Sequence, residues 1–147
     1  MNIIIVHNKR SKISLEKDNK VVFDLGRSGH PIFKILSNPF THLPLNKTTA
    51  KYSVPSVEKA VSSYKTYLEV CCNAVQNNVE TVDDNSKKVV AALHDLYLLF
   101  SINVLQNLPF YISCWCKDEL NPKPSDHACH CDIIRNIFYV KYLKEHS

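Results

Sequence analysis

Two short apolar runs, Ile3 to Val6 and Phe110 to Cys116, stand at either end of a stretch whose apolar residues recur at helical spacing. A strand that is apolar without alternation is buried on both faces, the habit of strands in parallel sheets. Parallel neighbours cannot be joined by a hairpin and need crossover segments of a dozen residues or more, usually helical. The pattern therefore specifies an α/β fold. A second strand, Val21 to Leu25, completes the set, and Ile3–Val6, Val21–Leu25 and Phe110–Cys114 are expected in one small, mostly parallel sheet covered by three helices. Pro55 suits the first position of one helix, followed by Val57, Ala60, Val61, Tyr64, Leu68, Cys71 and Val75 at helical spacing. Ser86 can cap the next, whose stripe is Val89, Val90, Leu93, Leu96, Tyr97, Phe100 and Val104, ended by Pro109. The last runs from about Cys131 to Leu143 and buries Ile133, Ile134, Ile137, Phe138 and Val140. Prolines at 31, 39, 44 and 55 break up residues 30–54 and leave an ordered loop. Loops of that length are commonly functional.

A chain of 147 residues is about one domain, expected over 1–147. The candidate membrane span, Val89 to Phe110, is interrupted by His94, Asp95, Asn103 and Gln106. The apolar run at Met1–Val6 is too brief for a signal peptide, and its basic residues follow it. The expectation is a cytoplasmic chain with no membrane partner. Net charge is +4. Residues 1–50 carry eight Lys or Arg against three Asp or Glu, while the rest of the chain is close to balanced. That field suits a phosphate-bearing ligand and is too weak to announce a duplex binder.

The chain has only two glycines, both in Leu25-Gly26-Arg27-Ser28-Gly29 directly after a strand. They are expected where no other residue fits, at positive φ or where a ligand approaches the backbone. Arg27 between them is a fork for phosphate or carboxylate. No Gly-Lys-Ser/Thr follows and no third glycine is present, so neither a Walker loop nor a dinucleotide fingerprint is spelled out. A tight turn with a surface arginine is the plain alternative.

Six cysteines occur as Cys71-Cys72, Cys114-x-Cys116 and Cys129-x-Cys131. Cys114 and Cys116 share a strand face, and Cys129, His130 and Cys131 open the last helix. Three readings compete. Cys114, Cys116, Cys129 and His130 could bind zinc, though the spacing is irregular for a structural site. One cysteine could be a thiolate nucleophile with His130 as its base. The cysteines could simply be small buried hydrophobes. The expectation is no zinc and no cofactor, with Cys114 buried and Cys129-His130 at the rim of a pocket. Ser37-Asn38-Pro39-Phe40 adds a turn signal with an aromatic anchor.

Taken in order, Leu25-Gly26-Arg27, Ser37-Asn38-Pro39-Phe40, Tyr64-Lys65-Thr66-Tyr67-Leu68, Cys114-Trp115-Cys116 and Cys129-His130-Cys131-Asp132 resemble the bacterial and phage family domain of unknown function 4326. Ser37 and Cys131 stand where that family usually has glycine. The resemblance implies a fold, a bacterial or phage setting and a shared site, and no particular reaction. By analogy with open α/β sheets, that site lies at the carboxyl ends of the strands, where an arginine, backbone amides and a helix N-terminus gather an anion. The expected ligand is a nucleotide or nucleic-acid phosphate held by Gly26, Arg27, Ser28, Gly29, Asn38, Phe40 and Cys114. Cys129, His130 and Asp132 would be the groups that process it. Arg27, Asn38 and His130 are expected to point into one pocket. The rival reading is a non-enzymatic module that binds a host protein or sequesters a ligand.

Overall fold

The computed structural model of the protein describes residues 3–8, 16–27, 29–41, 45, 50–77, 82–114 and 130–147. In chain order the elements are β1 (Ile4–Asn8), β2 (Val22–Asp24), a 3₁₀ turn (Lys34–Leu36), β3 (Phe40–Thr41), β4 (Tyr52–Ser53), α1 (Val57–Gln76), α2 (Asp84–Leu105), β5 (Phe110–Cys114) and α3 (His130–Glu145). β1, β5 and β2 form one parallel sheet in that order. Ile4 lies opposite Phe110, and Ile112 lies between Val6 and Phe23. The fold is α/β, with the three expected strands in one sheet. The proline-rich stretch is more ordered than a plain loop, because Phe40–Thr41 pairs in parallel with Tyr52–Ser53.

Burial along the strands departs from the expectation in one place. The central strand β5 is closed on both faces, with Phe110, Ile112 and Ser113 all within 1% of full burial. The edge strand β1 alternates: Ile4 and Val6 are buried, whereas Ile5 is 37% exposed. One hydrophobic cluster joins Ile4, Val6, Phe110 and Ile112 to residues of all three helices. Ile5 points away from it, as alternate residues of a strand must.

Helix starts follow capping chemistry. The hydroxyl of Ser56, not Pro55, opens α1 by accepting from Lys59 N at 3.1 Å. Asp83, not Ser86, opens α2, its carboxylate accepting from Ser86 N at 2.7 Å. Both residue types cap well, but a carboxylate also gains from the positive end of the helix dipole. The same bond holds the Asp83 carboxyl below its ordinary range.

By length and composition α2 is apolar enough to cross a membrane. In this fold it is the helix that fills the core, with Val89, Ala92, Leu93, Leu96, Tyr97 and Phe100 buried. Phe100 is the hub. Its ring lies 5.8 Å from Phe138 in a stacked arrangement, 5.9 Å from Phe110 and 5.8 Å from Tyr142. In α3, Cys131, Ile134 and Phe138 face this core. Val140, expected inside, is 53% exposed. It lies on the adjacent helix face with Ile133 and Ile137, which α1 covers only in part.

The hydroxyl of Tyr139 accepts from Ile4 N at 2.8 Å and lies 3.4 Å from Ile4 O. Ile3 O, by contrast, accepts from Phe110 N on the β5 side of the strand. Tyr139 therefore occupies the open edge of β1, the kind of edge that would otherwise template another strand.

Tyr97 anchors the far end of α3 by donating to Glu145 Oε2 at 2.6 Å. Burial, and then this bond to a carboxylate, pushes its hydroxyl from an ordinary 10.0 up to about 12. The folded state thus holds this proton more tightly than the unfolded chain. Its contribution to stability is complete below pH 10.0 and is lost as the pH rises through about 12. Ultraviolet titration should find a tyrosinate forming near pH 12 in the wild type that is missing from Tyr97→Phe.

Candidate functional site

The turn after β2 is built on Asp24. Its carboxylate accepts from Gly26 N at 2.9 Å, and its carbonyl accepts from His30 N at 2.8 Å. Gly29 N closes the turn on Gly26 O at 3.0 Å. A Cβ placed on Gly29 would lie 2.3 Å from Asp24 O and 2.9 Å from Asp24 Oδ1. No described glycine has a positive φ. Gly29 is therefore required by a close approach of the chain to itself and not by the left-handed region.

The turn presents Arg27 on the surface. The guanidinium donates through Nη1 to the backbone carbonyl of Asn38 at 2.7 Å, and no ion-pair partner for it occurs among the described residues. Asn38 is itself buried and fixed at both ends. Its Nδ2 donates to Ala60 O of α1 at 3.2 Å, and its Oδ1 accepts from Phe40 N at 3.0 Å. Pro39 follows naturally, since that peptide nitrogen needs no proton. Phe40 then packs against Tyr52 and Tyr67. The Asn-Pro-Phe segment is thus a clamp between the loop and α1 that holds a carbonyl out to Arg27.

Tyr64 extends the clamp by donating its hydroxyl to Leu36 O, and its ring meets the His130 ring edge-on at 5.3 Å. His130 is buried, at 3% exposed. Its Nε2 is 3.0 Å from Leu25 O. A carbonyl only accepts, so the proton of the ring resides on Nε2. Cys131, fully buried, places Sγ 3.6 Å from Ser113 O and 3.9 Å from His130 Nε2. Asp132 is buried in the first turn of α3, where the helix dipole favours it, and pairs with Arg135 at 3.1 Å. The side chain of Cys114, and Ser28, Cys116 and Cys129, lie outside the described residues. The proposed zinc set includes three of these.

Arg27, Asn38 and His130 therefore belong to one connected cluster at the carboxyl end of β2, but they are not equivalent. Arg27 and Asn38 bond directly. His130 reaches them through Leu25 and through the Tyr64 ring. Arg27 lines two adjoining cavities, of about 580 Å³ and 290 Å³, and His130 lines neither. The larger is flanked by Lys34, Lys88 and Asp95, and the smaller by Lys51, Tyr67 and Asn85. Ile35 is common to both. This is an open cationic groove centred on Arg27, with an aromatic ring at one end.

The family described as Domain of unknown function (DUF4326) matches residues 6–139. The chain belongs to the DUF4326 family. Neither a curated protein nor a solved structure matches it. In this DUF4326 chain the Gly-Arg, Asn-Pro-Phe and Tyr-x-x-Tyr segments and His130 meet in three dimensions through the bonds just described. The lysines of the groove come from segments with no motif, and only the excess of positive charge in residues 1–50 hinted at Lys34.

Ser113 of β5 is fully buried, and its hydroxyl finds no partner among the described residues. A buried hydroxyl without a bond is a standing desolvation cost. Ser113→Ala is expected to be neutral or to stabilise the fold by up to about 1 kcal/mol in urea denaturation.

Proposed function

We propose that this DUF4326 protein binds a phosphate-bearing, nucleotide-type ligand in the groove centred on Arg27. The observation that carries the reading is Arg27 itself, an exposed guanidinium oriented by the Asn38 carbonyl at 2.7 Å and shared by two cavities. A guanidinium held by one bond keeps its other donors for a planar or tetrahedral oxyanion. Lys34, Lys88 and Lys51 add positive charge along the groove, and Asp95 offsets part of it. Tyr67 offers a face for a base or another flat group. On this reading Asn38, Tyr64 and His130 are positioning residues, because each is buried and engaged with backbone or ring partners.

A thermal-shift screen of nucleotides tests it. A ligand at a hundredfold excess over its Kd adds about 2.7 kcal/mol, roughly 5–10 °C in Tm for a chain of this size. Arg27→Ala should weaken that ligand by about 2 kcal/mol, roughly thirtyfold in Kd. Its own unfolding free energy should stay within about 0.5 kcal/mol of wild type, as for most surface substitutions. If no nucleotide raises Tm, or if Arg27→Ala leaves the shift intact, the reading fails. The non-enzymatic interaction module then takes its place.

A further inference from the structure

A second groove, of about 760 Å³, lies between α1 and α3 and shares no lining residue with the first. Its wall is apolar: Cys72 from α1, with Ile133, Ile137 and Val140 from α3. The spacing of the three α3 residues puts them on one helix face, beside the face that enters the core. Val140 is 53% exposed, so this wall is unfilled by the protein's own side chains. Burial, reinforced by neighbouring Cys71, pushes the Cys72 thiol up, which keeps it protonated and apolar.

Cationic groups surround this wall. Lys65, Lys141 and Lys144 line it, against the single carboxylate of Glu145. Glu145 is occupied by the Tyr97 hydroxyl, and the Lys141 ammonium sits 4.6 Å above the Tyr97 ring. Neither Lys65 nor Lys144 has an ion-pair partner among the described residues. The lysines stand on both helices, so a charged head could be reached from either side.

We propose that the α1–α3 groove is a binding site for an amphipathic anion: an alkyl or fused-ring body against Ile133, Ile137, Val140 and Cys72, with a carboxylate or phosphate head among the lysines. The volume falls within the range of small-molecule pockets. The two chemistries divide the work in the usual way: burial of the apolar body supplies most of the free energy, and the ammonium groups select the sign of the head.

Cys72 supplies the readout. Its alkylation by N-ethylmaleimide is followed by peptide mass spectrometry, with dodecanoate present below its micellar concentration. Dodecanoate is expected to slow alkylation saturably, and dodecyltrimethylammonium, with the same tail and the opposite charge, is not. The exposed double substitution Lys65→Glu and Lys144→Glu should weaken protection about tenfold. Val140→Glu should abolish it, with circular dichroism showing that the fold survives. Equal protection by the cation, no protection by dodecanoate, or protection indifferent to charge reversal overturns the proposal. So does protection by phosphatidylglycerol vesicles without protection by monomeric dodecanoate, which would make this face a membrane contact.

Discussion

Gly29→Ala is expected to lower the unfolding free energy by about 3 kcal/mol, the upper end of the cost of forcing atoms into a packed site. The added methyl would meet backbone, because Asp24 O lies 2.3 Å and Asp24 C lies 2.9 Å from its position. A side-chain tip could swing away, but these atoms end β2 and cannot. The carbonyl also accepts from His30, and the Asp24 carboxylate from Gly26 N. Any relaxation therefore loosens the whole turn that carries Arg27. Urea denaturation should show a lower midpoint with an unchanged slope. Binding in the Arg27 groove should fall with it. A variant within about 1 kcal/mol of wild type, a surface-like value, would mean that the turn adjusts more cheaply than its geometry indicates.

Phe100→Ala should be the most damaging single substitution, at about 4 kcal/mol. Phe100 is fully buried and touches rings from α2, β5 and α3. Its removal takes away apolar area and leaves a void bounded by aromatic groups that cannot all close inward. Against a total stability of about 5–15 kcal/mol for such a domain, that loss leaves a marginal fold. Leu98, two residues earlier on the same helix, is 47% exposed, and Leu98→Ala should cost no more than about 0.5 kcal/mol. Denaturation curves of the two variants, compared with wild type, decide the matter. Equal losses would contradict the placement of this helix.

The elements most readable in the sequence were those with strong local signals. Continuous apolar runs located β1 and β5, and helical spacing located α1, α2 and α3, with ends shifted by a few residues. The shifts have a common cause: Ser56 and Asp83 compete with equally good neighbours for the cap, and only the finished geometry decides. Val140 was misplaced because periodicity assigns a helix face without saying how far a neighbouring helix covers it. At the site, Arg27 and Asn38 were legible through an isolated glycine pair and an Asn-Pro turn. Their relation was not, since Arg27 uses the Asn38 backbone carbonyl, a group that every residue possesses. Cys131, left open between chemistry and packing by its sequence context, is a buried thiol packed on Ser113. Tyr139 on the edge of β1 had no local signal at all, its partner being 135 residues away.

The order β1-β5-β2 has a consequence for synthesis on the ribosome. The middle strand is the last of the three to be made. β1 and β2 leave the tunnel early and have no bond to each other in the finished sheet, so neither can pair until Phe110–Cys114 arrives. At translation rates of about 5–20 residues per second, that leaves roughly 5–20 s in which two apolar strands are unpaired. The two helices of the crossover and the short β3–β4 pair before them can organise in that interval, since their contacts are local and those of the three-stranded sheet are not. That order favours folding around the helical middle before the sheet, with the Tyr139 hydroxyl closing over Ile4 only after β5, when α3 reaches back to β1.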